Sequence, residues 1–302
     1  MKSVPLPLCI RRLAADDLTR VGSILFHAFN EVFTAHGHPP PVPSQQAGIS
    51  LARAYHEYEA DGGWVATRGE DIVGSAFTHP RGDTAGIGPV TVDPACQGQG
   101  IGRALMGHLL GELAACRSVR LFQDAFNRGS YALYASLGFE PRDVMAVLRA
   151  SRPRFVAPLE GGQVRAMDAA DLGEVAQVDT RLSGIVRPAD LLFLFDRGPA
   201  YVLEDDLGGI RGYALGFRSG DALFLGPVVA PSAAGVLRLA ARVCLEESCE
   251  SVTLRTFGRP GALMAALLEA GFQVRSLGTY MVRGQYVPPV GVQLSALFPE
   301  AL

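Results

Sequence analysis

Apolar and polar positions divide the chain into short strand-like runs and longer helix-like stretches, and one order of elements occurs twice. Each half opens with a strand and then a helix. Residues 9–13 (Cys-Ile-Arg-Arg-Leu) precede Asp16, Asp17 and Leu18, as residues 163–167 (Gln-Val-Arg-Ala-Met) precede Ala170, Asp171 and Leu172. An Asp ahead of an apolar-periodic run predicts a helix N-cap. Ile10 maps on Val164 at an offset of 154, and Val65 on Val202 at 137, so the second copy is 17 residues shorter in between. The offset is 138 where residues 72–77 (Ile-Val-Gly-Ser-Ala-Phe) meet 210–215 (Ile-Arg-Gly-Tyr-Ala-Leu), and where 87–90 (Ile-Gly-Pro-Val) meet 225–228 (Leu-Gly-Pro-Val). It is 133 for 118–121 against 251–254 and for Gly138-Phe139 against Gly271-Phe272, a loss of five residues from the second copy. A repeat this long, carrying both periodicities, predicts two α/β domains at 1–152 and 160–302 rather than a solenoid. The Pro- and Arg-rich residues 150–158 are the expected linker.

Composition narrows the partners. The chain has 302 residues, 48% hydrophobic and 19% charged, enough apolar material for two cores and no signature of disorder. Net charge is −3 and no basic run exceeds Arg11-Arg12, which argues against nucleic acid. Residues 1–10 are too short and too broken by Pro5 and Pro7 for a signal-peptide core. The most apolar later run, 191–195, ends at Asp196, far below the ~18 residues needed to span a bilayer. A soluble, cytoplasmic monomer or homodimer with no membrane partner is expected. Five cysteines without C-x-x-C read as buried free thiols, not as a disulfide scaffold or zinc site. Six histidines offer no H-E-x-x-H, and His36-Gly37-His38 lies in a loop before three prolines, so no metal is expected.

The five-residue difference falls on the one motif that carries chemistry. After the apolar strand 87–92 comes Asp93-Pro-Ala-Cys-Gln97-Gly98-Gln99-Gly100-Ile101-Gly102-Arg103, then a helix with apolar positions at Leu105, Leu109, Leu110 and Leu113. Strand, glycine-rich turn and helix N-terminus make an anion site, where unpaired amides and the positive helix end converge on a phosphate. Glycines allow a pyrophosphate close to the backbone. A Walker loop needs Lys-Ser/Thr after its last Gly and a Rossmann fingerprint needs G-x-G-x-x-G; neither fits glycines at 98, 100 and 102.

The spacing Gln-x-x-Gly-x-Gly resembles the pyrophosphate loop of the GNAT (general N-acetyltransferase) superfamily. A second landmark supports it: strand 119–123, then Asn127, then Tyr131-Ala-Leu-Tyr134-Ala-Ser-Leu-Gly138-Phe139, similar to that superfamily's Asn…Leu-Tyr-x-x-x-Gly-Phe segment. The resemblance is good over about residues 8–150. Over 160–285 it keeps the scaffold only, as in tandem members with a degenerate second domain. It implies two GNAT-like domains, each with a mixed, mostly antiparallel sheet flanked by helices, and an acetyl-CoA-dependent N-acetyltransferase. The loop residues Gln97, Gly98, Gln99, Gly100, Ile101, Gly102 and Arg103 would hold the pyrophosphate. Val90, Thr91 and Val92 would pair with the pantetheine arm and polarise the thioester, Asn127 would hydrogen-bond the coenzyme, and Tyr134 would protonate the departing thiolate. No metal is implied.

The general base departs from the family's pattern, because residues 85–89 (Ala-Gly-Ile-Gly-Pro) hold no carboxylate where many members place a Glu. Asp124, His79 and a water chain stay open. The segment 29–61, with Phe33, His36 and Tyr55-His-Glu-Tyr58, is implied as one wall of a cleft for a small-molecule or peptide amine. A coenzyme-binding or ligand-sensing module without turnover is the alternative. In the second half only Gly235 remains of the loop, Asn127 maps to Pro260 and Tyr134 to Leu267, so no coenzyme is expected there.

Overall fold

A computed structural model describes residues 6–155, 162–259 and 261–296. They form two compact units: the residues up to Leu121 with Phe126–Phe139, and Phe122–Ala125 with those from Glu140 on. Six linker and interdomain residues, 156–161, lie outside the described residues, as does Pro260.

The first unit runs β1 (Leu8–Arg12), α1 (Leu18–Ala35), α2 (Gln45–Tyr58), β2 (Gly63–Arg68), β3 (Asp71–Arg81), β4 (Thr84–Val92), α3 (Ile101–Glu112), β5 (Ser118–Asp124) up to Leu121, and α4 (Arg128–Ser136). Strands β1 to β4 form an antiparallel meander, and β5 joins β4 in parallel. Its buried residues come from the periodic faces: Val21, Ile24 and Leu25 of α1, Phe77 of β3, Ile87 of β4, and Ile101, Leu105, Met106 and Leu109 of α3. Helices α1 and α2 meet backbone to backbone. A Cβ on Gly22 would lie 2.3 Å from Ile49 Cα, and one on Gly48 2.4 Å from the Gly22 oxygen.

The second unit holds β6 (Glu140–Ala150), β7 (Gln163–Ala166), α5 (Leu172–Ser183), α6 (Pro188–Phe195), β8 (Ala200–Glu204), β9 (Ile210–Ser219), β10 (Ala222–Ala230), α7 (Ala233–Glu246), β11 (Ser251–Phe257), α8 (Gly261–Glu269), β12 (Gln273–Gly284) and β13 (Val292–Leu294). Its strand order is β12-β6-β11-β13-β10-β9-β8-β7. At offset 133 the start of β6, Glu140, corresponds to Gln273 of β12. The closing strand of the first repeat is therefore built into the second unit, antiparallel to β11 on one side and β12 on the other. Its Ala146, Leu148 and Ala150 join the core of Leu254, Leu267 and Phe272. The sequence repeat, split at 152, and the compact units thus differ by this strand and by Phe122–Ala125.

The duplication reaches side-chain detail. Arg11 grips Asp17 through two bonds of 2.6 and 2.9 Å, and Arg165 grips Asp171 at 2.6 and 3.0 Å. The predicted N-cap takes a different form. Each Asp ends a short 3-10 turn and reaches back to accept from the backbone amide of Ala14 or Asp168, both at 2.8 Å. The glycine–proline bulge is repeated too: residues 88–89 oppose Phe77 alone, and 226–227 oppose Leu215 alone, each with a cis Gly–Pro bond. All five cysteines are free, but burial does not hold for them: Cys9 is exposed and the other four are partly exposed. Among the described residues no helix is long and apolar enough to cross a membrane, and no cluster of three His, Cys, Asp or Glu could hold a metal.

Candidate functional site

Strands β4 and β5 part company in the first unit. Their parallel ladder covers Thr84, Ala85 and Gly86 against Ser118, Val119 and Arg120, and stops there. Beyond the bulge, Val90, Thr91 and Val92 pair with β3 on one side and with no strand on the other among the described residues. Val90 and Val92 are half-buried, whereas Thr91 is buried with its hydroxyl 2.9 Å from that of Ser75. A strand paired on one side presents free amides and carbonyls to a ligand that can imitate a strand.

At the end of β4, Asp93 accepts from Ala95 N at 3.0 Å and is also gripped by Arg20, which starts a short 3-10 turn over Pro94–Cys96. Gln97 donates back to the Val92 carbonyl at 3.3 Å, so the loop is tied to the strand it leaves. Gly98 and Gly100 then take φ of +74° and +79°, the left-handed region that favours glycine, with open space where a Cβ would stand. Helix α3 starts at Ile101. Its first helical bond from this end is Ala104 N to Gly100 O at 3.0 Å, so the six amides of 98–103 have no acceptor among the described residues. Arg68 donates to the Gln99 side chain and Arg103 to Ser136 Oγ at 2.8 Å, adding two cations beside the helix N-terminus.

Asn127 caps α4 by accepting from Ser130 N at 3.1 Å through Oδ1, while its Nδ2 has no partner among the described residues. Tyr134 lies further along α4. It is 9% exposed, packs edge-on against Phe139 at 6.1 Å, and has no hydrogen bond to its hydroxyl among the described residues. Burial pushes its phenol up to about 12. The loop residues, the β4 segment, Asn127 and Tyr134 all fall in the first unit.

The turn after β5 contributes a residue that sequence reasoning missed. The Phe126 ring stacks on His38 at 4.4 Å and meets Phe33 edge-on at 4.8 Å and His36 at 5.3 Å. Asn30 fixes the same loop with reciprocal bonds to Val42, 2.8 Å to its carbonyl and 3.1 Å from its amide. Of the candidate bases, His79 is 0% exposed and gives Nε2–H to the Gly88 carbonyl at 2.8 Å. Burial lowers its imidazole to about 3, so it is neutral at physiological pH and ill suited to take a proton from an ammonium. Asp124 ends β5, half-buried.

The second unit has the same splay, but it is filled. Strands β10 and β11 pair in parallel from Ala222–Ser251 to Leu225–Leu254, and β13 then enters between them. Val292, Gln293 and Leu294 pair with Ala230, Val229 and Val228, and Leu294 with Thr256. Leu294 is fully buried. At the N-terminus of α7, Ser232 caps by accepting from Gly235 N at 3.2 Å. A shallow cavity of about 300 Å³ there is lined by Glu204, Asp205 and Asp206 with Arg211. Asp205 occupies the position that Arg68 holds in the first unit, at offset 137. Leu267, the counterpart of Tyr134, is buried core.

The first unit thus brings together a strand edge paired on one side and a turn of amides without acceptors among the described residues, on a duplicated α/β scaffold. The chain is a tandem member of the GNAT family. The sequence model described as "Acetyltransferase (GNAT) family" matches residues 25–139, and that described as "Acetyltransferase (GNAT) domain" matches 175–293. A mycothiol acetyltransferase of Nocardioides sp. is 31% identical over 149 residues, 43% of this chain and 47% of the relative. The [ribosomal protein bS18]-alanine N-acetyltransferase of Escherichia coli K12 is 39% identical over 75 residues, 24% of this chain and 51% of the relative. The chain thus spans about half the length of the curated relatives it matches. A solved structure of a proposed acetyltransferase from Pyrococcus horikoshii superposes with a TM-score of 0.77 at 18% identity, covering 99% of this chain and 98% of the other. A tandem GNAT protein from the clavulanic acid biosynthesis pathway gives 0.62 at 18% identity, over 93% and 100%. These two likenesses are of fold.

Proposed function

We propose that the protein transfers an acetyl group from acetyl-CoA to an amine of a small-molecule or peptide acceptor, at one site formed in the first unit. The observation that carries this reading is the run of six amides at 98–103 that, among the described residues, have no acceptor, beside a β4 edge with no second partner strand from Val90 to Val92. That donor set fits a pyrophosphate followed by an amide-bearing arm, and beyond the chain neighbours no described residue comes within 4 Å of where a Cβ on Gly98 or Gly100 would stand. When bound, acetyl-CoA supplies a thioester whose carbon accepts the amine.

In this reading the amides of 98–103 hold the diphosphate, with Arg68 and Arg103 adding charge, and the β4 edge aligns the arm as a neighbouring strand would. An N–H of Val90 or of its neighbours on that edge polarises the thioester oxygen, in a place where burial strengthens each dipole. Asn127 offers Nδ2–H to the coenzyme. Tyr134 keeps its proton at neutral pH and gives it from Oη to the sulfur as the C–S bond breaks. The wall of Phe33, His36, His38 and Phe126 takes the acceptor. The relatives are named for mycothiol and for the alanine of ribosomal protein bS18, which supports an acetyl acceptor of either size.

The second unit is proposed to bind no coenzyme, since β13 fills its splay and carboxylates line its helix N-terminus. Calorimetry with acetyl-CoA should give one site per chain, and a panel of primary amines should include one that releases free thiol. Two equivalent sites would contradict the assignment. Binding without thiol release from any amine would favour a sensing module.

A further inference from the structure

Buried polar groups that the chemistry above does not use include one directly behind the open edge of β4. In the bulge, Gly88 and Pro89 oppose the single residue Phe77, so the ladder has no regular partner for the extra residue, and Pro89 has no N–H to offer. The Gly88 carbonyl is buried and is met instead by a side chain, the Nε2–H of His79 at 2.8 Å. His79 is enclosed by aromatic rings from α2, Tyr55 at 5.8 Å and Tyr58 at 5.4 Å. Arg81 lies over the Tyr58 ring and pairs with Glu59 at 2.5 Å, closing the same side.

The duplicated unit supplies an internal comparison. It keeps the bulge, the glycine and the proline at 226–227, yet the counterpart of His79 at offset 138 is Phe217, which has no donor. There the chain after β13 crosses the bulge, so closely that a Cβ on Gly226 would stand 1.9 Å from the Ser295 carbonyl oxygen. The imidazole therefore accompanies the open slot and is absent from the filled one.

We propose that His79 is a positioning residue for acetyl transfer: by donating to Gly88 it sets the peptide planes of the bulge, and through them the direction of the β4 amides at Val90 to Val92. This inference rests on the acetyltransferase reading of the same edge. A neutral imidazole suits the role, because a single N–H with a fixed tautomer holds one carbonyl without bringing charge to the thioester. Tyr55 and Tyr58 face it from α2, and Arg81 of β3, paired with Glu59 just past α2, lies over the Tyr58 ring.

The test uses the full chain. Imidazole ¹⁵N–¹H spectra should give a His79 Nε2–H that persists from about pH 5 to 9 and shifts when acetyl-CoA is added. His79→Phe, the residue of the second unit, should lower kcat about ten- to a hundredfold with the best acceptor while acetyl-CoA affinity stays within about threefold. His79→Gln, which keeps an N–H donor, should recover most of that loss. If His79→Phe does not fold, His79→Gln alone decides: kcat within about threefold of the unmodified chain supports the role, and a tenfold loss opposes it. Acetyl-CoA binding with no response of the His79 signal, or His79→Phe turning over at the unmodified rate, would overturn the proposal. No acetyl-CoA binding by the unmodified chain would instead remove the acetyltransferase reading, leaving the His79–Gly88 bond in the spectra.

Discussion

Tyr134 has an apolar setting, a phenol raised to about 12 and no partner for its hydroxyl among the described residues. Its proton is therefore present throughout the neutral range, and in the proposed role the falling limb of a pH–rate profile should not begin below about pH 10 on its account. Tyr134→Phe should cut turnover about ten- to a thousandfold while coenzyme affinity changes only a few-fold, a split that steady-state kinetics and calorimetry would measure together. A second residue-scale prediction concerns acid. The bonds from Arg11 lower the Asp17 carboxyl, and those from Arg165 lower Asp171, so both carboxylates prefer the folded state. Their stabilisation is complete above the unfolded carboxylate pKa of about 3.9 and is lost as pH falls through the lower folded values. Acid titration followed by circular dichroism should show Arg11→Met and Arg165→Met unfolding at higher pH than the unmodified chain.

At the scale of elements, the β4–loop–α3 unit was legible in the sequence because its determinants are local: a strand, glycines at 98, 100 and 102, and apolar positions spaced along one helix. The structure adds why Gly98 and Gly100 are glycine, namely their positive φ, which no pattern of hydrophobicity reports. Gly100→Glu would combine a strained backbone with a carboxylate among the amides of 98–103. It should abolish acetyl-CoA binding in calorimetry with the fold retained by circular dichroism. Other features had no local signal. The His79–Gly88 bond depends on the register of β3 against β4, and the Phe126 contacts join the end of α1 to a turn about ninety residues on. Nor was β13 readable, since three residues carry too short a pattern to declare a strand and its partners lie in β10 and β11.

At the scale of the molecule, the repeat was plain in the offsets, whereas the placement of β6 was not. Its sequence belongs to the first repeat and its hydrogen bonds to β11 and β12. Cutting the chain at 152 would therefore release a strand whose apolar Ala146, Leu148 and Ala150 have lost the core they pack into. Such a fragment should aggregate or melt well below the full chain in a thermal shift assay, and a fragment as stable as the full chain would contradict this expectation.

The strand that fills the second splay is in effect a tethered ligand. A coenzyme reaches its site from solution, so the stability it lends grows with its concentration: saturation at a hundred times Kd adds about 2.7 kcal/mol by linkage. β13 is covalently attached, and its local concentration does not vary with the composition of the solution. Acetyl-CoA should accordingly slow amide hydrogen exchange across 98–112 and leave 222–246 unchanged. The duplicated chain would then contain one half whose rigidity reports the supply of coenzyme and another whose rigidity is constant, a reference built from the same ancestral unit.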